Sequence, residues 1–327
     1  MAQPQPAITP PNSSSVTIAP GAVVAAAQAQ PSRRGFKPAN YINVLLFVGP
    51  SLILIGLFIV YPTIKTIYLS FQQTTGIGFN APQVFAGWSN YTDIFTDSQI
   101  QTDIINNLLW LAIVTPVTVV LGVIFAVLFD KVRYETIPKS IVFIPMAISA
   151  TASGVIWRLM YADDPNVGTI NAMLGWLHIP AISFLGNTSF VNFALFGAQI
   201  WMGLGFAVII LSAAVKAIPA DLNEAAHIDG ATELQIFRKI TLPLMWPTIT
   251  VIITLTMIGV LKIFDLVYTM TGGGPAGASQ VLAVEMYFQS FKNANTGYGS
   301  AIAVILLVAV LPVMAINIKR FQSEGPR

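Results

Sequence analysis

Cysteine is absent from the 327 residues, which removes disulfides, thiolate nucleophiles and cysteine metal sites from consideration. Charge is scarce as well. Asp, Glu, Lys and Arg together make up 9% of the chain, where an ordinary soluble domain carries about a quarter. The sixteen cations are scattered and form no patch, which speaks against nucleic acid as a partner. Histidine occurs twice, at His178 and His227, without the company a zinc site requires, so no metal is expected. There is no Gly-x-x-x-x-Gly-Lys-Ser/Thr phosphate loop and no convincing cluster of catalytic acids and bases, so the chain does not read as an enzyme.

What fills the space is hydrocarbon. Hydrophobic residues make up 55% of the chain and the mean hydropathy is +0.72, a composition that belongs in a bilayer. Six stretches, 42–64, 106–129, 140–161, 190–215, 248–270 and 300–318, are long enough to cross about 30 Å of hydrocarbon at ~1.5 Å per residue. The expected fold is an all-α membrane protein of six transmembrane helices occupying 39–322. A Pro-, Ala-, Gln- and Ser-rich tail at 1–38 and a short tail at 323–327 flank it. Alternating the loops puts twelve of the sixteen cations on one side, which predicts cytoplasmic N and C termini. Internal prolines and glycines in several spans, such as Pro116 with Gly122 and Gly203 with Gly205, favour a moving bundle over a passive anchor.

Six of the thirty charges, Asp221, Glu224, Asp229, Glu233, Arg238 and Lys239, fall within 19 positions of a polar island between spans four and five. Asp221 and Glu224 have the spacing of a capping pair that starts a short helix, and Gly230 suits its left-handed end. Thr232 with Gln235 restarts a helix presenting Ile236, Phe237 and Ile240, and Pro243 and Pro247 are expected to stop it. By spacing alone, the island is either a connecting hairpin or a docking element whose small alanines let another protein approach.

Glu224-Ala225-Ala226, Asp229-Gly230-Ala231, Phe237, Ile240, Leu242-Pro243 and Pro247 resemble the EAA loop of the membrane subunits of binding-protein-dependent ABC importers. Phe143-Ile144-Pro145, Ile156-Trp157-Arg158, Trp201-Met202-Gly203, Ala217-Ile218-Pro219 and Thr271-Gly272-Gly273-Gly274-Pro275 resemble the carbohydrate-importing branch, which includes the maltose-transporter permeases. The resemblance covers roughly 42–320.

It implies a type I importer permease bundle in the bacterial inner membrane, multi-pass, with a cytoplasmic coupling loop at 219–247. ATP hydrolysis falls to partner subunits, so ATP and Mg belong there and this chain binds no cofactor. The implied partners are a second homologous permease, a dimeric cytoplasmic ATPase, an extracytoplasmic sugar-binding protein, the sugar itself and membrane lipid. Glu224, Ala225, Ala226, Asp229, Gly230, Ala231, Leu242 and Pro243 become ATPase-coupling residues. Gln199, Met202, Gly203 and Phe206, with Thr256, Gly259 and Val260 opposite, fall on the implied sugar path. Val260 stands where a polar residue is expected.

Two other functions bear on the intramembrane charges. An importer of polyols or glycerol phosphate gives Lys262 an anion to meet. A self-sufficient ion-coupled carrier needs mid-depth carboxylates, yet Asp265 is the only acid well inside a span and is three residues from Lys262. That spacing predicts a structural ion pair on one helical face. Arg158 is expected to pair in the same way with Asp163 and Asp164.

Overall fold

The computed structural model describes residues 38–76, 78 and 81–324, with side chains described for residues 45–315 apart from the same interruptions. The tail expected at 1–38 lies outside the described residues except for Pro38, as do 325–327 of the short tail at 323–327. Residues up to Val60 form one compact unit and those from Tyr61 another.

In the first unit, α1 (Pro38–Ile55) continues through a π-helical turn at Gly56–Val60. The second opens with α2 (Tyr61–Leu69) and a small antiparallel hairpin, β1 (Gln72–Thr74) with β2 (Gln83–Phe85), pairing Gln73 with Val84. Short α3 (Ser89–Thr96) leads into α4 (Ser98–Asp130), the longest helix at 33 residues. Its start is fixed locally: the Asp97 carboxylate accepts from the Gln99 amide at 2.7 Å, satisfying an orphan donor of the first turn.

The third expected span, 140–161, is not one straight helix. It is α5 (Thr136–Phe143), a 3₁₀ turn at Ile144–Ala147 and α6 (Ala150–Met160), and the two parts are bent by 102°. Extended Ile148 (ψ 135°) breaks the hydrogen-bond ladder after Pro145, and Ser149 caps the new helix by accepting from the Ala152 amide at 3.2 Å. Then follow α7 (Thr169–Trp176), α8 (Val191–Lys216), α9 (Ala220–Ile228) and α10 (Glu233–Ile236). A second π-turn at Phe237–Thr241 joins α10 to α11 (Leu242–Leu261). The chain ends with α12 (Asp265–Met270), α13 (Leu282–Tyr287), a π-turn at Phe288–Lys292 and α14 (Thr296–Glu324).

Among the described residues, five helices are long and apolar enough to cross a membrane, and the bent pair makes six if counted as one span. The first extends to Leu69, beyond the expected 64. The fifth runs from Glu233 to Leu261 and stops short of the expected 270.

Helices α4, α8 and α11 pack together at the centre of the second unit. Lipid tails are as apolar as leucine, so these helices are held by close packing and interhelical hydrogen bonds more than by water exclusion. One cluster gathers Trp110, Val114, Leu195, Phe196, Val260 and Leu266, with Trp110 and Phe196 edge to face at 4.9 Å. Another joins Val119, Val123, Ala207, Leu211, Met245 and Ile249 nearer the α9–α10 end. Where α8 crosses α5, Gly205 lets the backbones touch: a Cβ there would lie 2.4 Å from the Val142 carbonyl oxygen.

Candidate coupling hairpin and solute path

The polar island folds as a helix, a glycine turn and a helix. Its first cap differs from the expectation. Pro219 (φ −57°, ψ 132°) occupies the N-cap position, so Asp221 lies inside the first turn of α9 without a side-chain cap bond. There it favours the helix through the N-terminal dipole instead.

The far end of α9 is as expected. Gly230 has φ +77°, its amide donates to the His227 carbonyl at 3.0 Å, and the Ala231 amide donates to the Ala226 carbonyl at 2.9 Å. These two bonds make a Schellman motif, which relies on a left-handed residue at Gly230. Thr232 and Gln235 then form a full capping box, the Thr232 hydroxyl accepting from the Gln235 amide and the Gln235 side chain accepting from the Thr232 amide.

Pro243 and Pro247 do not stop the second helix. Pro243 sits in the first turn of α11, where a missing amide is tolerated directly after the π-turn, and Pro247 is carried within the helix. The path from Glu233 to Leu261 is therefore helical throughout, about 43 Å long by the ~1.5 Å rise. Ile236 is buried and Phe237 packs against the α4–α8–α11 cluster, so the second helix turns its apolar face to its own bundle.

The first helix does not. No residue of α9 is buried; Glu224, Ala225, Asp229 and Gly230 are exposed, and Ala226 and Ala231 are half-buried. Leu222, Ile228 and Leu234 are 44, 86 and 64% exposed, large apolar side chains left uncovered on the hairpin. Leu242 is half-buried and Pro243 exposed at the root of the hairpin.

A charge network seats the hairpin on the bundle. Lys131, at the end of α4, pairs with Glu233, and Glu135 pairs with both Lys139 and Lys216. The Lys131–Glu233 pair is 58 and 64% exposed, so it fixes geometry more than it stabilises, whereas the Lys139 and Glu135 side chains are 15 and 29% exposed. His227 Nε2 lies 2.8 Å from Glu233 and its Nδ1 2.7 Å from the Asn223 carbonyl. The Asn223 carbonyl, then the Glu233 carboxylate, hold the His227 proton above the ordinary value of 6.5. The tie is thus whole below that ordinary value and lost as pH climbs through the raised one. We expect amide exchange around residues 227–233 to quicken as pH rises above the ordinary histidine value and through the raised one, beyond the intrinsic base catalysis, and His227→Gln to remove the excess. A profile identical in the two proteins contradicts this.

The seven residues expected on the solute path divide. Gln199 is half-buried in α8 and its side chain makes no hydrogen bond to a described residue; Met202 and Phe206 are half-buried and packed at the edges of the two central clusters. Gly203 faces Thr118, where a Cβ would make an ordinary contact at 3.8 Å from Thr118 Cγ2. On α11, the Thr256 hydroxyl donates to its own helix at the Ile252 carbonyl (2.8 Å), Gly259 is exposed, and Val260 is 1% exposed in the core.

The expected Lys262–Asp265 ion pair does not form. The helix ends at Leu261, Lys262 (φ −103°, ψ 17°) and Phe264 (φ −134°, ψ −64°) leave it, and the two charges no longer share a helical face. Arg158 is likewise unpaired with Asp163 and Asp164. Asp163 accepts from the Ser183 hydroxyl at 2.8 Å, and Asp164 accepts from the Asn166 amide at 2.9 Å.

Sequence reasoning missed a buried asparagine clamp. Asn106 donates to the Ala278 and Gln280 carbonyls at 2.9 and 2.7 Å, and Asn192 donates to Asn106 Oδ1 at 3.1 Å. Asn107 Oδ1 accepts from the Leu282 amide at 3.0 Å. Together they bind the glycine-rich segment 271–282 to α4 and α8. The signal was Asn106-Asn107 inside an apolar helix, where an amide must find a partner.

Residues 18–319 match the family described as the binding-protein-dependent transport system inner membrane component. The chain is 45% identical over 283 residues to the osmoprotective compounds uptake permease protein GgtC of Synechocystis sp., covering 85% of this chain and 99% of that one. It is 38% identical over 297 residues to the alpha-glucoside transport system permease protein AglF of Rhizobium meliloti, covering 89 and 86%. Its fold matches a chain of a bacterial ABC transporter involved in the import of the acidic polysaccharide alginate, with a TM-score of 0.75, 21% identity, and 88 and 97% coverage. The helical bundle and hairpin thus find their family: the chain belongs to the inner membrane components of binding-protein-dependent transport systems, as a multi-pass ABC importer permease.

Proposed function

We propose that this chain carries a sugar, as a di- or oligosaccharide or a glycoside, through an ATP-driven importer. The observation that carries the coupling half is the hairpin, with exposed Ala225, Gly230 and Ile228 at the foot of a 29-residue apolar helix. The cargo half is supported by the 38% identity to an alpha-glucoside permease.

In this reading a second permease completes the pore and two ATPase subunits bind ATP and Mg. An extracytoplasmic binding protein delivers the sugar. Glu224, Ala225, Ala226, Asp229, Gly230 and Ala231 seat the hairpin in the ATPase, and Leu242 with Pro243 forms its joint with α11. Closure of the ATPase dimer moves the hairpin, and the unbroken helix to Leu261 passes that movement to the far end as rigid-body rocking. Gln199, Met202, Gly203 and Phe206 of α8, with Thr256 and Gly259 of α11, are assigned to the path, and Val260, 1% exposed, backs it from the core. Hydrolysis belongs to the ATPase subunits and this chain contributes no catalytic group.

The test is isolation of the native assembly from detergent-solubilised membranes. The expected result is an ATPase and a second permease in stoichiometric amounts, and a binding protein that holds a neutral sugar. A binding protein selective for glycerol phosphate overturns the cargo, and recovery of this chain as a lone homo-oligomer overturns the whole reading.

A further inference from the structure

At the end of α11 away from the hairpin lies a cavity of about 740 Å³, a volume typical of small-molecule sites. Arg158 of α6, Asp265 of α12 and Lys292 of the last π-turn all line it, and no ion pair joins any two of them. Phe264 and Tyr268 form one wall, their rings nearly parallel at 14° and 5.2 Å apart. Lys292 Nζ is held 4.2 Å above the Phe288 ring and 5.4 Å from that of Tyr268. None of the seven residues assigned to the mid-bundle path lines this cavity, and Phe264 lies beyond the end of α11 at Leu261.

We propose that this cavity is a separate receiving subsite for the ring of an uncharged pyranoside, filled before the solute reaches the mid-bundle path; this deepens the sugar reading and rests on it. The chemistry selects the ligand. A flat aromatic wall offers stacking to the apolar face of a sugar ring. Arg158 and Lys292 only donate hydrogen bonds, whereas the Asp265 side chain offers acceptor oxygens. A hydroxyl does both and so satisfies all three. A carboxylate or phosphate satisfies the cations but brings no donor to Asp265 and sets a like charge beside it, whereas the hydroxyls of a neutral ring serve all three groups.

The natural absence of cysteine gives a clean test. Thr151→Cys places one thiol in the cavity wall, and Thr92→Cys places one at an exposed site outside it. The purified complex in vesicles is labelled with a maleimide in the presence of millimolar maltose, trehalose, sucrose or digalacturonate. At least one neutral sugar is expected to slow labelling about tenfold at Thr151→Cys, as occupancy near saturation requires, and to leave Thr92→Cys unaffected. Adding Asp265→Asn, which keeps the shape, or Tyr268→Leu should remove the protection. Protection by digalacturonate alone overturns the neutral-ligand assignment, and failure of all four to protect overturns the subsite. Uptake measured in the same vesicles then separates the two claims: transport of a neutral sugar without protection leaves the sugar reading standing, and absence of both removes it.

Discussion

Gly230→Pro is expected to leave the chain inserted and folded through its membrane helices, yet to abolish coupled transport. The native φ is +77°, whereas proline is confined near −65°, and proline also lacks the amide that Gly230 donates to the His227 carbonyl. At ~3 kcal/mol or more, the substitution shifts the hairpin equilibrium about a hundredfold against the native turn. Gly230→Ala is a sharp control. A Cβ at this position meets nothing within 4 Å, so alanine carries only the left-handed backbone penalty of about 1–2 kcal/mol and should impair transport partially. In vesicles with the partner subunits, ATP hydrolysis stimulated by loaded binding protein should collapse in the proline variant and fall modestly in the alanine one. Normal stimulated hydrolysis in Gly230→Pro contradicts the coupling role.

Gly205→Leu is expected to destabilise the bundle itself. A Cβ at Gly205 would lie 2.4 Å from the Val142 carbonyl oxygen and 2.8 Å from Phe143 Cα, and both are backbone atoms that cannot swing aside. Overpacking of this kind costs about 1–3 kcal/mol, and a rigid backbone contact places it at the upper end or beyond. The neighbouring Gly203→Ala makes only an ordinary contact at 3.8 Å from Thr118 Cγ2 and should be almost silent for stability. The unfolding midpoint in detergent should therefore drop for Gly205→Leu and hold for Gly203→Ala. Equal midpoints contradict the close crossing of α8 and α5. Since Gly203 lies on the assigned solute path, an intact fold with altered uptake in Gly203→Ala would also separate the two roles of this glycine pair.

Features set by neighbours in the chain were legible in the sequence. Apolar length located the membrane helices, and the Thr232–Gln235 box and the left-handed Gly230 were readable because both depend on bonds within a few residues. Asp221 was misplaced because Pro219, two positions earlier, already supplies the extended N-cap backbone. Pro243 and Pro247 looked like stops because a proline in isolation breaks a helix, whereas the π-turn at Phe237–Thr241 leads Pro243 into a first turn that does not need its amide. The Lys262–Asp265 pair assumed an unbroken helix that in fact ends at Leu261. The cavity was invisible for a related reason. Arg158, Asp265 and Lys292 come from segments more than a hundred residues apart at the extremes and meet only after the chain has folded.

The central claim is that the hairpin at 219–247 couples ATP hydrolysis by partner subunits to passage of a sugar through this bundle. Uptake of labelled sugar into vesicles containing the purified complex tests it most directly. Transport is predicted only when ATP, Mg and the loaded binding protein are all present, and it should vanish with Gly230→Pro. Uptake that proceeds without ATP, driven by an ion gradient through this chain alone, would contradict it.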